Sequence, residues 1–179
     1  MKHIRPLFFL LCLTTGFFSM TNAQNATATT ELSKFSWLMG DWVGEGSGQP
    51  GQGEGSFSFK TDLDNHIIIR KNHTSYPATT GKPAFVHDDM LIIFSDEPGS
   101  FSKAIYMDNE DHVLHYSIQF SADQKTIVFL SEARANMPVF RLSYALADAD
   151  NVLIKFEIAR PDQPGSFNTY LSGKAHKAK

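Results

Sequence analysis

Val139-Phe140-Arg141-Leu142-Ser143-Tyr144-Ala145-Leu146, followed after a short polar break by Val152-Leu153-Ile154-Lys155-Phe156-Glu157-Ile158-Ala159, is the stretch that decides the fold. In the first run Phe140, Leu142, Tyr144 and Leu146 share a face, with Val139, Arg141 and Ser143 opposite. In the second, Val152, Ile154, Phe156 and Ile158 share a face, with Leu153, Lys155, Glu157 and Ala159 opposite. Two is the side-chain period of a strand. One apolar and one mainly polar side mark an antiparallel sheet with one face on a core. The break between the runs, residues 148–151, is polar and of hairpin length.

Working outward, Leu114, Tyr116, Ile118 and Phe120 repeat the pattern, with Val113, His115, Ser117 and Gln119 opposite. Turn formers recur at Asn109-Glu110-Asp111, Ala122-Asp123-Gln124 and residues 161–165. Runs of this kind predict strands near 40–46, 54–62, 65–76, 83–94, 100–108, 112–121, 125–132, 138–146, 151–159 and 167–175. Before them, Leu32, Phe35 and Leu38 or Met39 fall at helical spacing behind Thr30, which predicts one short N-terminal helix. About ten strands in a meander close naturally into an all-β antiparallel up-and-down barrel, because closure removes exposed edges. A two-sheet sandwich is the competing architecture. The glycines at 44, 46, 48, 51, 53 and 55 lack the Lys-Ser/Thr and the following helix of a phosphate loop. They read as strand ends around a loop.

The chain has 179 residues, 42% hydrophobic and 20% charged, with a net charge of -3. That composition supports a single folded domain and excludes a disordered chain. A pI near 6.1 and the absence of a Lys/Arg cluster beyond the first residues argue against nucleic acid as a partner. Residues 1–23 carry Lys2 and Arg5, an apolar run from Leu7 to Phe18 and a small-residue end at Thr21-Asn22-Ala23, which reads as a signal peptide cut before Gln24. The run is too short and too interrupted for a membrane span. The expected protein is therefore secreted or periplasmic, with a leader at 24–30 and a barrel domain at 31–179. Cys12 would leave with the signal peptide, so stability is expected from the core without disulfides.

Phe35-Ser36-Trp37-Leu38-Met39-Gly40-Asp41-Trp42-Val43-Gly44-Glu45-Gly46, a short helix and then Gly-x-Trp entering the first strand, resembles the calycin superfamily. More specifically it is similar to nitrobindin-type and lipocalin-like bacterial domains. The resemblance implies a barrel around a small apolar or amphipathic ligand, with Trp37, Gly40 and Trp42 as structural residues at its base. Nitrobindins hold haem through a histidine on the last strand. Here Asn168-Thr169-Tyr170-Leu171-Ser172-Gly173 places Tyr170 at that position. Histidine-ligated haem is thus not expected; a tyrosine can ligate ferric haem, and the competing reading is a packed tyrosine with a satisfied hydroxyl.

The polar run Arg70-Lys71-Asn72-His73-Thr74-Ser75-Tyr76 follows Ile67-Ile68-Ile69, and His87-Asp88-Asp89 precedes Met90-Leu91-Ile92-Ile93-Phe94. If the two strands pair, His73 and His87 come close to opposite each other and offer acid–base or metal chemistry; the alternative is a wet barrel mouth. An inward Arg70 would meet a ligand's charged end, since a buried charge needs a partner. Tyr76, Tyr106 and Tyr170 complete the candidate ligand-binding set. His112 and His115, three apart on a strand, point to opposite faces and cannot chelate one ion. No metal and no cofactor is assigned. No serine-esterase elbow, zincin helix or cysteine nucleophile is present. A small-molecule binder is the leading expectation, against a barrel enzyme using His73 and His87, or an interaction module whose barrel is filled by its own aromatics.

Overall fold

The alternating runs form ten antiparallel strands in a computed structural model, which describes residues 31–46, 53–97 and 100–179. They are β1 (Gly40–Glu45), β2 (Glu54–Asp62), β3 (Ile67–Tyr76), β4 (Phe85–Phe94), β5 (Lys103–Asp108), β6 (Val113–Phe120), β7 (Thr126–Ser131), β8 (Val139–Asp148), β9 (Asn151–Ala159) and β10 (Phe167–Lys177). Each pairs with its sequence neighbour, and β10 pairs with β1, so the sheet is a closed up-and-down barrel. The sandwich alternative is excluded. The signal peptide, the leader and the middle of the glycine tract lie outside the described residues, among which no helix is long and apolar enough to cross a membrane.

The expected N-terminal helix is shorter than its spacing suggested. One helical turn at residues 31–33 gives way to a 3-10 turn at Ser36–Leu38. Gly40 ends it with φ of 111°, a conformation closed to most side chains, although nothing stands within 4 Å of where its Cβ would be. Backbone conformation alone therefore demands glycine where the chain turns into β1.

This turn plugs one end of the barrel. Phe35 and Leu38 are fully buried, and the Phe35 ring meets Phe101 and Phe120 edge-on at 6.0 and 5.2 Å. Trp42, also fully buried, donates its indole N–H to the Leu38 carbonyl at 2.8 Å and stacks on Phe57 at 6.0 Å. Trp37 lies partly buried against the core and donates to the Gln124 carbonyl. Phe59, Ile68, Ile93, Ile127, Phe129 and Val152 complete a dry lower half.

Strands β1 and β10 pair only over Trp42–Glu45 and Lys174–Lys177. Towards the other end the β10 inner face is open, with Leu171 42% exposed. A β-bulge between Thr169 and Leu171 turns the strand there and frees Tyr170 from the regular alternation. Across the barrel, a Cβ on Gly53 would fall 2.9 Å from the Tyr76 ring and 2.5 Å from Thr74. The glycine tract thus lets β2 pass close beneath these β3 side chains.

Candidate functional site

The β3–β4 register settles which side chains face inward. Arg70 lies opposite Leu91, Asn72 opposite Asp89, and Thr74 opposite His87. Arg70, Asn72, His87 and Asp89 therefore share the inner face with the buried Ile68, Leu91 and Ile93. His73 pairs with Asp88 instead, on the outer face, where its Nδ1 meets Asp88 Oδ1 at 2.7 Å and both side chains are exposed. The expectation that His73 and His87 stand together is thus overturned. The hairpin sets a register one residue off, and a single step sends a side chain through the sheet. Among the described residues no cluster of three or more ligating side chains could hold a metal ion.

Above the aromatic base the inner wall turns polar. The Arg70 guanidinium lies inside the barrel, its Cζ 5.7 Å from the Phe57 ring centroid and 5.9 Å from that of Tyr144. Its Nη1 donates to Asp89. Asn72 donates to the second Asp89 oxygen at 3.0 Å, and His87 Nε2 lies 3.4 Å from the same atom. His87 Nε2 is 3.2 Å from the Tyr106 hydroxyl, and its Nδ1 is 2.8 Å from Glu110. Tyr106 donates to Asp108 at 3.1 Å, and His112 reaches the same carboxylate at 2.9 Å. Arg70, Asn72, His87, Asp89, Tyr106 and Asp108 form one connected layer.

Burial dominates the electrostatics of this layer. It pushes the Asp89 carboxyl above its ordinary range, with Arg70 and His87 pulling the other way. Burial also works against the Arg70 charge, but Tyr144, Asp89 and Tyr106 together more than offset it and raise the pKa. The Tyr144 phenol is pushed up to about 12 by burial, with Arg70 opposing, so it stays protonated. Tyr106 and Tyr116 are raised further, again chiefly by burial. Arg70 and Tyr144 share a side-chain hydrogen bond, and among the described residues Arg70 Nε and the Tyr144 hydroxyl find no further partner in their enclosed position.

At the open end the inner wall is aromatic. Phe140 and Phe156 stack at 5.9 Å, and Tyr170 meets Phe156 edge-on at 6.1 Å. Opposite them Tyr76 stacks on Phe85 at 4.5 Å. Partial burial, then Tyr170 and Glu110, raise the Tyr76 pKa, which puts all three groups around one mouth. Tyr170 is 75% exposed and so is not the packed residue of the competing sequence reading. The bulge carries it to the rim.

The sequence reading missed Asp89 as the partner of Arg70, as well as Asn72 and Tyr144. A signal for Asp89 was present, since Asp89, Leu91 and Ile93 alternate on one face. Arg141 lies outside, as its polar face suggested, where its Nε and Lys155 Nζ each meet Glu157 at 2.7 Å and Phe167 covers the guanidinium. A groove of about 640 Å³ also lies on the outer wall, around Val43, Ser56, Ser58, Met90 and Met107. Its polar side chains, such as His73 and Asp88, are exposed. The connected polar network lies on the opposite side of the same strands.

The fold is a lipocalin-like, calycin-like closed barrel. The crystal structure of Rv2717c from M. tuberculosis matches it with a TM-score of 0.54 at 12% identity, over 83% of this chain and 98% of that one. The S-type phycobiliprotein lyase CPES from Guillardia theta gives a TM-score of 0.46 at 11% identity, over 87% and 97% of the two chains. No family model and no curated protein sequence matches. At 12% identity, the match to Rv2717c establishes the fold alone. Tyr170 stands exposed at the rim, and both ring nitrogens of the inward His87 already face oxygens.

Proposed function

We propose that this protein binds one small amphipathic molecule in the upper half of its barrel. The observation that carries the reading is the division of the upper inner wall into two unlike sides. Phe140, Phe156 and Leu171 offer an apolar side that is incompletely covered. Asn72, His87, Asp89 and Asp108 offer a polar side across from it. Binding sites that hold an apolar body and orient it through a few polar groups have this composition. Export is part of the proposal: the protein acts outside the cytoplasm after cleavage before Gln24, and N-terminal sequencing of exported protein that began at Met1 would contradict this.

The reading departs from the sequence expectation in one respect. Arg70 is already neutralised by Asp89, so the site carries no free positive charge to attract an anion. Fluorescence titration with N-phenyl-1-naphthylamine, an uncharged apolar probe, tests the binding itself. Saturable one-to-one binding is expected, weakened at least about tenfold in Phe156→Ala through loss of an aromatic wall. A linear, non-saturating response would remove the reading.

A further inference from the structure

We infer that the molecule bound in the upper barrel is an organic cation, whose positive end sits at the mouth among the rings of Tyr76, Phe85 and Tyr170 and beside the Glu110 carboxylate. This rests on the binding function proposed above and specifies the class of ligand. Tyr170 is 75% and Phe85 49% exposed, so the rim holds aromatic faces towards water at the open end. Tyr76 and Phe85 stack with 9° between their planes, which leaves the outer face of each ring free of the other. Tyr170, set edge-on against Phe156, stands on the opposite side of the mouth. The face of an aromatic ring carries partial negative charge and attracts a cation.

Charge points the same way. Arg70 is the one lysine or arginine on the inner faces of β3, β4 and β5, and Asp89 neutralises it. Two further carboxylates remain in the network, Asp108 and Glu110, and the basic side chain against each is an imidazole, His112 and His87 respectively. Glu110 is the one that reaches the mouth. Its side chain is half exposed, it meets His87 Nδ1 at 2.8 Å, and Phe85 and His87 are successive inward residues of β4. Burial, then Tyr170 and Glu110, raise the Tyr76 pKa, so the rings and the carboxylate share one field. An anionic head group would meet these carboxylates with like charge, and a neutral one would gain from neither the charge nor the ring faces.

Displacement of N-phenyl-1-naphthylamine by decyltrimethylammonium, 1-decanol and decanoate, each below its solubility or micelle limit, tests this at one chain length. A quaternary ammonium donates no hydrogen bond, so its advantage reports charge and ring faces alone. It should compete at about tenfold lower concentration than 1-decanol, the scale of a cation–π contact with a carboxylate nearby, and decanoate should compete worst. Glu110→Gln and Tyr170→Leu, both at exposed positions, should each cut the preference for the cation over the alcohol about threefold. Glu97→Gln removes one negative charge from the loop after β4, at the plugged end, and should leave that preference intact. 1-Decanol or decanoate competing as well as the cation would overturn the inference, as would either rim variant keeping the full preference. Glu97→Gln lowering it equally would also overturn it, the result expected if net charge alone draws the cation. Failure of the probe itself to bind would remove the underlying function and the ligand class with it, and is recognisable before any competitor is added.

Discussion

The two halves of the barrel are made by the same strands, yet they solve different problems. In the lower half the inward positions are mainly apolar and covered, from Phe35 and Leu38 of the plug to Phe129 and Val152. In the upper half the same inward positions hold a guanidinium, carboxylates, an imidazole and partly open aromatic rings. Hydrophobic burial accounts for the lower half. It does not account for the upper half, where the Arg70 and Asp89 side chains are buried as a pair. Under the binding function proposed above, these groups orient the bound molecule.

Substitutions should separate the halves by size of effect. Trp42→Ala should be the most damaging, at about 3–5 kcal/mol by chemical denaturation, since it empties the most enclosed aromatic position of the lower half. A loss below about 1 kcal/mol would mean that the plug does not organise the base. Asp89→Leu alone should cost a comparable ~3 kcal/mol by leaving Arg70 buried and unpaired, while Arg70→Met with Asp89→Leu should return to within about 1 kcal/mol of the parent. A double variant as unstable as the single would show that the polar layer itself holds the upper half together.

Smaller effects should come from the outer wall and the rim. The Glu157 carboxyl is held down to about 2 by hydrogen bonds from Arg141 and Lys155, against a small opposing effect of burial. Its partners shield it at the surface, so after discounting for water screening its contribution is about 1–2 kcal/mol. Because the folded pKa lies below the ordinary 4.5, that contribution is fully present above about pH 5 and is lost as pH falls towards 2. Glu157→Gln should flatten the stability profile across this window, as read by urea melts at several pH values. Tyr170→Ala, at the exposed rim, should change stability by less than about 0.5 kcal/mol while weakening probe binding. An intact affinity would place the ligand away from the bulge.

Much of the barrel was legible in the sequence because alternation is a local signal. Turns such as Asn109-Glu110-Asp111 marked where each strand stops, and eight of the ten predicted runs needed only end corrections of up to three residues, with β2 and β9 unchanged. The N-terminal helix shortened because the chain turns into β1 at Gly40, whose φ of 111° no helix accommodates. Gly40 marked that break. The site was less legible because it depends on register. His73 and His87 looked like partners until the hairpin set them one step apart, and nothing local in Asn72 or Tyr144 distinguished them from ordinary strand residues. Pairing of β3 with β4, and closure of the barrel that sets β8 across the interior from them, make them neighbours, and that is a property of the closed sheet.

Hydrogen exchange with and without N-phenyl-1-naphthylamine tests the division of the barrel most directly, because it locates the ligand and compares both halves in one measurement. The account predicts slowed exchange in the upper segments, residues 70–76, 85–89 and 167–172, with Gly40–Glu45 and Thr126–Ser131 unchanged. Protection concentrated at the base, or along the outer groove around Ser56 and Met107, would contradict it.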